Sequence, residues 1–199
     1  MEKLKVVYID DDLDIGISRY LESEYQPRNY EIEYYEIEFK DEDGYESLIN
    51  NPQIKEANII LIDSKLFRND EIVGTKFSGE EFKIILKKEY PFIEVIVITQ
   101  NDIEEGFGTI SKYRKSFAST QEEYYKKSLK LMLDKAIDEV EKYRNIANKL
   151  MLNEGIDKVT VERVMNSLDG ENQYDELTTK DIDALITAFK DIQRSIDEE

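Results

Sequence analysis

Three stretches of this chain read as strands buried on both faces, and their spacing restricts the fold more than any other feature. Leu4–Ile9, "ANIILID" (57–63) and "EVIVITQ" (94–100) are short, β-branched and almost continuously apolar. A strand with one face in water alternates in polarity, whereas a strand sandwiched between helices does not. Helical spacing fills the gaps: Leu13, Ile17, Tyr20 and Leu21 follow the first run, a short helix around Tyr45–Asn50 stops at Pro52, and Phe82, Ile85 and Leu86 line a helix from Ser78 to about Lys88. This alternation predicts an α/β fold, a doubly wound parallel sheet with helices on both faces. "YEIEYYEIEF" (30–39) is a different kind of strand, with Ile32 and Tyr34 on one face and Tyr35, Ile37 and Phe39 on the other. The change of face at Tyr34–Tyr35 predicts either a bulge or a sheet edge with one solvated side.

Near residue 118 the pattern becomes purely helical, which divides the chain into an α/β part (1–118) and a helical extension (119–199). Ser119 with Glu122, or Thr120 with Glu123, forms a capping box opening a helix that should run to about Asn153, with Gly155 ending it. Leu129, Leu133, Ala136, Val140, Tyr143, Ala147 and Leu150 recur at steps of four and three, a heptad seam. That seam packs on the parent sheet and the C-terminal helices, or makes a homodimer through the 120–153 helix. A helix at about 157–168 and a last one from Thr178, carrying Ile182, Leu185, Phe189, Ile192 and Ile196, complete the extension. The loop between them (169–176) has its glycine second rather than sixth and lacks regular acidic ligands, so it is not read as a calcium loop.

Composition removes several chemistries. The chain has no cysteine and no histidine, which excludes thiolate nucleophiles, disulfides, imidazole bases and nearly all transition-metal sites. Hard, oxygen-only sites for Mg²⁺ or Ca²⁺ are what remain. A net charge of −18, from 45 acids against 27 bases, repels phosphate backbones and anionic bilayers. We therefore expect no direct nucleic-acid binding and no membrane association. The N-terminus has no long apolar stretch, so a cytoplasmic protein is expected.

The strand ends carry the chemistry. In an open parallel sheet, ligands bind beyond the carboxyl ends of the strands. Those ends hold Asp10 and Asp11 after the first buried run, Asp63 after the second and Thr99 after the third. If the strands are neighbours, the carboxylates converge, and a hard divalent cation is the natural way to neutralise them. A hydroxyl and an ammonium beside that cation would suit a phosphoryl group. Taken alone, Asp10-Asp11-Asp12 fits equally well as an acidic turn capping the next helix. Thr99 alone also suits an ordinary strand position, and Lys112 a solvated surface.

In this order, "YIDDD…LIDSKL…FSGEEF…VIVIT…SK" resembles the receiver domain of two-component response regulators over roughly residues 3–118. The resemblance implies a flavodoxin-like fold with a C-terminal all-α extension, and Mg²⁺ held by Asp10, Asp11, Asp63 and the backbone carbonyl of Lys65. It implies that Asp63 accepts a phosphoryl group from the phosphohistidine of a histidine kinase or histidine phosphotransfer protein. Thr99 and Lys112 would bind that group, with Lys115 in "RKSF" as the alternative lysine. Signalling would then reach a downstream protein effector through the C-terminal helices. Three features depart from the family. Phe67 stands where a proline is usual, the loop before Gly79 is long, and only residues 100–107 separate Thr99 from Gly108. A parallel crossover with its helix needs at least about 10–12 residues, so the fourth helix should be missing or reduced to a turn. Thr109 falls at the position of the family's aromatic switch residue. Two other functions compete: a receiver-like protein-binding module that works without phosphorylation, and a haloacid-dehalogenase-type phosphohydrolase built on Asp10, Asp12 and Thr99.

Overall fold

In a computed structural model the chain is described at residues 2–40, 45–66, 78–100, 108–118, 120–152, 155 and 157–169. Five strands, β1 (Glu2–Asp10), β2 (Tyr30–Glu38), β3 (Ile59–Asp63), β4 (Glu94–Thr99) and β5 (Thr109–Ser111), form one sheet in the order β2-β1-β3-β4-β5. Every pairing is parallel. The helices are α1 (Ile15–Arg19), α2 (Tyr45–Ile49), α3 (Pro52–Lys55), α4 (Gly79–Glu89), α5 (Gln121–Met151) and α6 (Lys158–Asp169). α1 runs on into a π-helical stretch, Tyr20–Glu24. The architecture is thus a five-stranded, all-parallel α/β sheet with helices on both sides, as the buried runs predict.

Each face has its own apolar layer. On one, Val6, Tyr8, Leu61 and Ile98 pack beneath Ile17 and Leu21 and beneath Tyr125, Leu129, Leu133 and Val140 of α5. On the other, Val7, Ile9, Ile60 and Val97 pack beneath Leu48, Ile54, Phe82 and Leu86. Both layers draw on alternate residues of the same strands, which is why β1, β3 and β4 read as unbroken apolar runs.

The edge strand β2 keeps continuous register with β1 from Glu2↔Tyr30 to Asp10↔Glu38, so the bulge alternative does not hold. The edge alternative accounts for the pattern. Tyr30, Ile32 and Tyr34 lie under the α5 layer, while Ile37 and Phe39 lie under the α2–α4 layer. The apolar face switches along β2 because its cover changes from one layer to the other.

The heptad seam is occupied within the chain. Its first half lies on the sheet, and Ala147 and Leu150 continue onto Val161, Val164 and Leu168 of α6. Each fully buried leucine of the seam, such as Leu129 or Leu133, contributes about 1.5–3 kcal/mol of burial free energy. One layer of the α/β core therefore comes from α5, across the 118/119 boundary read from the sequence. Thr120 caps the helix, its side chain accepting from the Glu123 N–H at 3.1 Å, and Leu152 ends it. Asn58 ties the extension back to the sheet: its Nδ2 donates to the Leu168 carbonyl at 3.1 Å and its Oδ1 accepts from the Lys5 N–H at 3.0 Å. No helix among the described residues is long and apolar enough to cross a membrane. Phe67, residues 101–107, the 170–176 part of the acidic loop and the helix from Thr178 lie outside the described residues.

Candidate functional site

Parallel register brings the polar strand ends together. Ile9 pairs with Ile62, Asp63 with Ile98, and Thr99 with Ser111, so Asp10, Asp63, Thr99 and the residue after β5 sit along one edge of the sheet. Asp10 and Asp63 are buried, whereas Asp11, one step further out, is exposed. One carboxylate oxygen from each of these three acids lies within 4.8 Å of the other two.

Lys112 closes the group. Its backbone N–H donates to the Thr99 carbonyl at 2.6 Å, extending the β4–β5 ladder by one residue. That anchors the side chain over the acids, with Nζ 2.8 Å from Asp10 Oδ2 and 3.0 Å from Asp63 Oδ1. Lys115 lies in the exposed turn that follows β5. Of the two lysines weighed from the sequence, Lys112 is the one that reaches the carboxylates. Thr109 begins β5 and is half-buried.

Thr99 is buried at the end of β4, and its Oγ1 accepts from Ser64 Oγ at 2.9 Å. Lys65 occupies the turn leaving β3, where its N–H donates to Asp63 Oδ2 at 2.6 Å. The role given to the Lys65 carbonyl rests on the resemblance alone. Asp12 is exposed, and its N–H donates to Asp10 Oδ1 at 3.2 Å. The cap of the following helix is Asp14, not one of the three consecutive aspartates, with Oδ1 accepting from the N–H groups of Gly16 and Ile17. Gly79 starts α4 against the turn after Asp63: its N–H donates to the Ser64 carbonyl at 3.0 Å, and a Cβ there would come within 2.4 Å of the Asp63 carbonyl oxygen. Only glycine permits that approach. The glycine of "SGEEF" thus has a packing reason, and the capping box of Ser78 and Glu81 fixes the helix start.

The electrostatics are unbalanced. Burial raises the Asp63 carboxyl above its ordinary range, against the pull of Lys112, and Asp10 adds to the rise. Burial, a hydrogen bond with Asp10 and the charges of Asp10 and Asp63 likewise raise Asp11. Burial works against the Lys112 ammonium, but its hydrogen bond to Asp10 and the nearby Asp63 outweigh that and hold it above its usual value. Among the described residues, the Lys112 ammonium pairs with two of the three carboxylates, Asp10 and Asp63. The donor set is all oxygen, in a chain without histidine or cysteine, and fits a hard divalent cation such as Mg²⁺.

No family model matches the sequence, and no curated protein matches it either. Four residues in or beside the site escape a reading of the sequence: Tyr8, Asp14, Ser64 and Tyr125. Ser64 could have been found, since it directly follows Asp63 in a turn. Nothing in the spacing pairs Asp14 with Tyr125.

Proposed function

We propose that this protein is a receiver of two-component type, in which Asp63 accepts a phosphoryl group from a phosphohistidine donor with Mg²⁺ bound beside it. The observation that carries the reading is the Lys112 ammonium bridging Asp10 and Asp63 while Asp11 completes a cluster of three acids. The strand order β2-β1-β3-β4-β5 supports it, because that is the flavodoxin-like order, with its ligand crevice at the carboxyl ends of β1 and β3, whose following helices lie on opposite faces. The acids stand at that crevice.

The chemistry follows from the residues. A carboxylate oxygen of Asp63 attacks phosphorus as the P–N bond to the donor imidazole breaks, giving an aspartyl phosphate and an imidazole that takes up a proton. Mg²⁺, when bound, neutralises the charge on the acids and the transferring group. Asp10, Asp11 and Asp63 would hold it. Lys112, already within hydrogen-bond reach of Asp63, would follow the new negative charge, and Thr99, whose Oγ1 accepts from Ser64, would donate its O–H to a phosphoryl oxygen. The donor would be a histidine kinase or histidine phosphotransfer protein, and the recipient of the signal a protein effector reached through the helical extension. The cytoplasm is the compartment this chemistry implies.

The bond formed is an acyl phosphate, which gives the test its signature. Incubation with a small-molecule phosphodonor and Mg²⁺ should yield a modification that hydroxylamine releases. A hydroxylamine-stable adduct, on serine or threonine, would defeat the proposal.

A further inference from the structure

Tyr8 is an unusual residue for its position. It is fully buried near the C-terminal end of β1, between Val7 and Ile9, where a branched aliphatic side chain would fill the layer with no polar atom to satisfy. A buried tyrosine needs a partner for its hydroxyl. This one takes its partners from the functional site: Oη donates to Asp10 Oδ2 at 2.5 Å and accepts from the Asp14 N–H at 3.2 Å.

Asp14 carries the connection onward. Besides capping α1, its carboxylate accepts from Gln121 Nε2 at 2.6 Å and from Tyr125 Oη at 3.1 Å, both on the first turns of α5. Tyr125, also fully buried, accepts in turn from the Tyr113 N–H at 3.1 Å. Tyr113 follows Lys112, whose Nζ rests on the same Asp10 oxygen that Tyr8 holds. The path thus closes into a ring through Asp10, Tyr8, Asp14, Tyr125, Tyr113 and Lys112. The helices are in close contact at this ring. A Cβ on Gly16 would come within 2.3 Å of Gln121 Cδ, so the glycine leaves room for the side chain that bridges α5 to Asp14.

We propose that Tyr8 and Asp14 are positioning residues that carry the state of the Asp10 carboxylate to Tyr125 and so to the first turns of α5. The proposal deepens the receiver reading by naming the element that senses the site. An unpaired polar atom in a buried network is costly, so a change at one member is met by rearrangement of its neighbours. Drawing Asp10 towards a cation disturbs Tyr8, drawing Lys112 towards a phosphoryl group disturbs the Tyr113 backbone, and both lead to Tyr125.

Amide hydrogen exchange on the full chain tests this at Tyr113 and at residues 122–126. Asp10→Asn in the wild-type background should speed exchange there by roughly tenfold, the scale of one buried hydrogen bond. In a Tyr125→Phe background, which keeps the ring packing, the response to Asp10→Asn at residues 122–126 should vanish. Tyr8→Phe should reduce it and serves if Tyr125→Phe folds poorly. A response to Asp10→Asn that is undiminished by either phenylalanine, or absent from the wild type, overturns the relay. Mg²⁺ added to the wild type should change the same amides. If Mg²⁺ changes none while Asp10→Asn still acts through Tyr8 and Tyr125, the relay stands and the receiver reading falls.

Discussion

Within "DDDLD" (10–14) stand two acids with different electrostatic surroundings, although both bond to the Tyr8 hydroxyl. Asp14 is saturated: two backbone N–H groups, an amide and a phenol all donate to its carboxylate. Asp10 belongs to a set of three acids, two of which pair with the Lys112 ammonium, and burial and mutual charge raise Asp11 and Asp63. The first arrangement is complete without any ligand. The second would be completed by a cation. Acidic residues alone do not mark a site; the balance of donors around them does.

The sharpest way to break that contrast is to remove the shared cation. Lys112→Met should cost about 3–5 kcal/mol in Mg²⁺-free urea denaturation, because it takes from two buried carboxylates the ammonium they share. Mg²⁺ should recover much of that loss. Lys115→Met, in the exposed turn, should stay within about 0.5 kcal/mol of wild type. Equal effects from the two lysines would dissolve the distinction drawn between them.

Next in size is the cation itself. Mg²⁺ at about a hundred times its dissociation constant should stabilise the wild type by about 2.7 kcal/mol in a melting titration, and Asp63→Asn should remove most of that gain. The effect has a defined pH sense. Raised carboxyl pKa values mean that the folded state binds protons more readily than the unfolded chain. The penalty from Asp11 and Asp63 is therefore fully present above their folded-state values and is relieved as pH falls through them towards the ordinary carboxylate range. Over the same window Mg²⁺ stabilisation should shrink, because protons compete for the ligands. Mg²⁺ stabilisation that grows with acidity would contradict the assignment.

Asp14→Ala should cost about 2 kcal/mol in the same denaturation experiment, from the lost helix cap and the stranded donors of α5. Mg²⁺ should not restore it, unlike the Lys112 variant. The smallest effect belongs to Asp12, exposed beside the site: Asp12→Asn should change stability by no more than about 0.5 kcal/mol and leave Mg²⁺ binding unaltered. Dependence of a phosphatase activity on Asp12 would instead favour the phosphohydrolase alternative.

The same contrast shows what a sequence displays and what it hides. Strands covered on both faces advertise themselves, so β1, β3 and β4 are legible and their terminal residues Asp10, Asp63 and Thr99 align at once. β5, with only Thr109–Ser111, is too short to carry a pattern of its own. The switch of apolar face in β2 is visible, but its cause is a change in covering helices, which no local pattern encodes. Asp14 hides as one acid among four in five residues, and Tyr125 as one tyrosine on an amphipathic helix. Their bond joins segments far apart in the chain. Packing accounts for the Tyr125 ring, whereas its hydroxyl has a partner that only the folded chain supplies.

The central claim is that Asp63 is a Mg²⁺-dependent phosphoacceptor, and intact-protein mass spectrometry after exposure to a small phosphodonor tests it most directly. The account predicts one added phosphoryl group in the presence of Mg²⁺, none after chelation, and none in Asp63→Ala. An unmodified wild type, or an adduct that persists in Asp63→Ala, would contradict it.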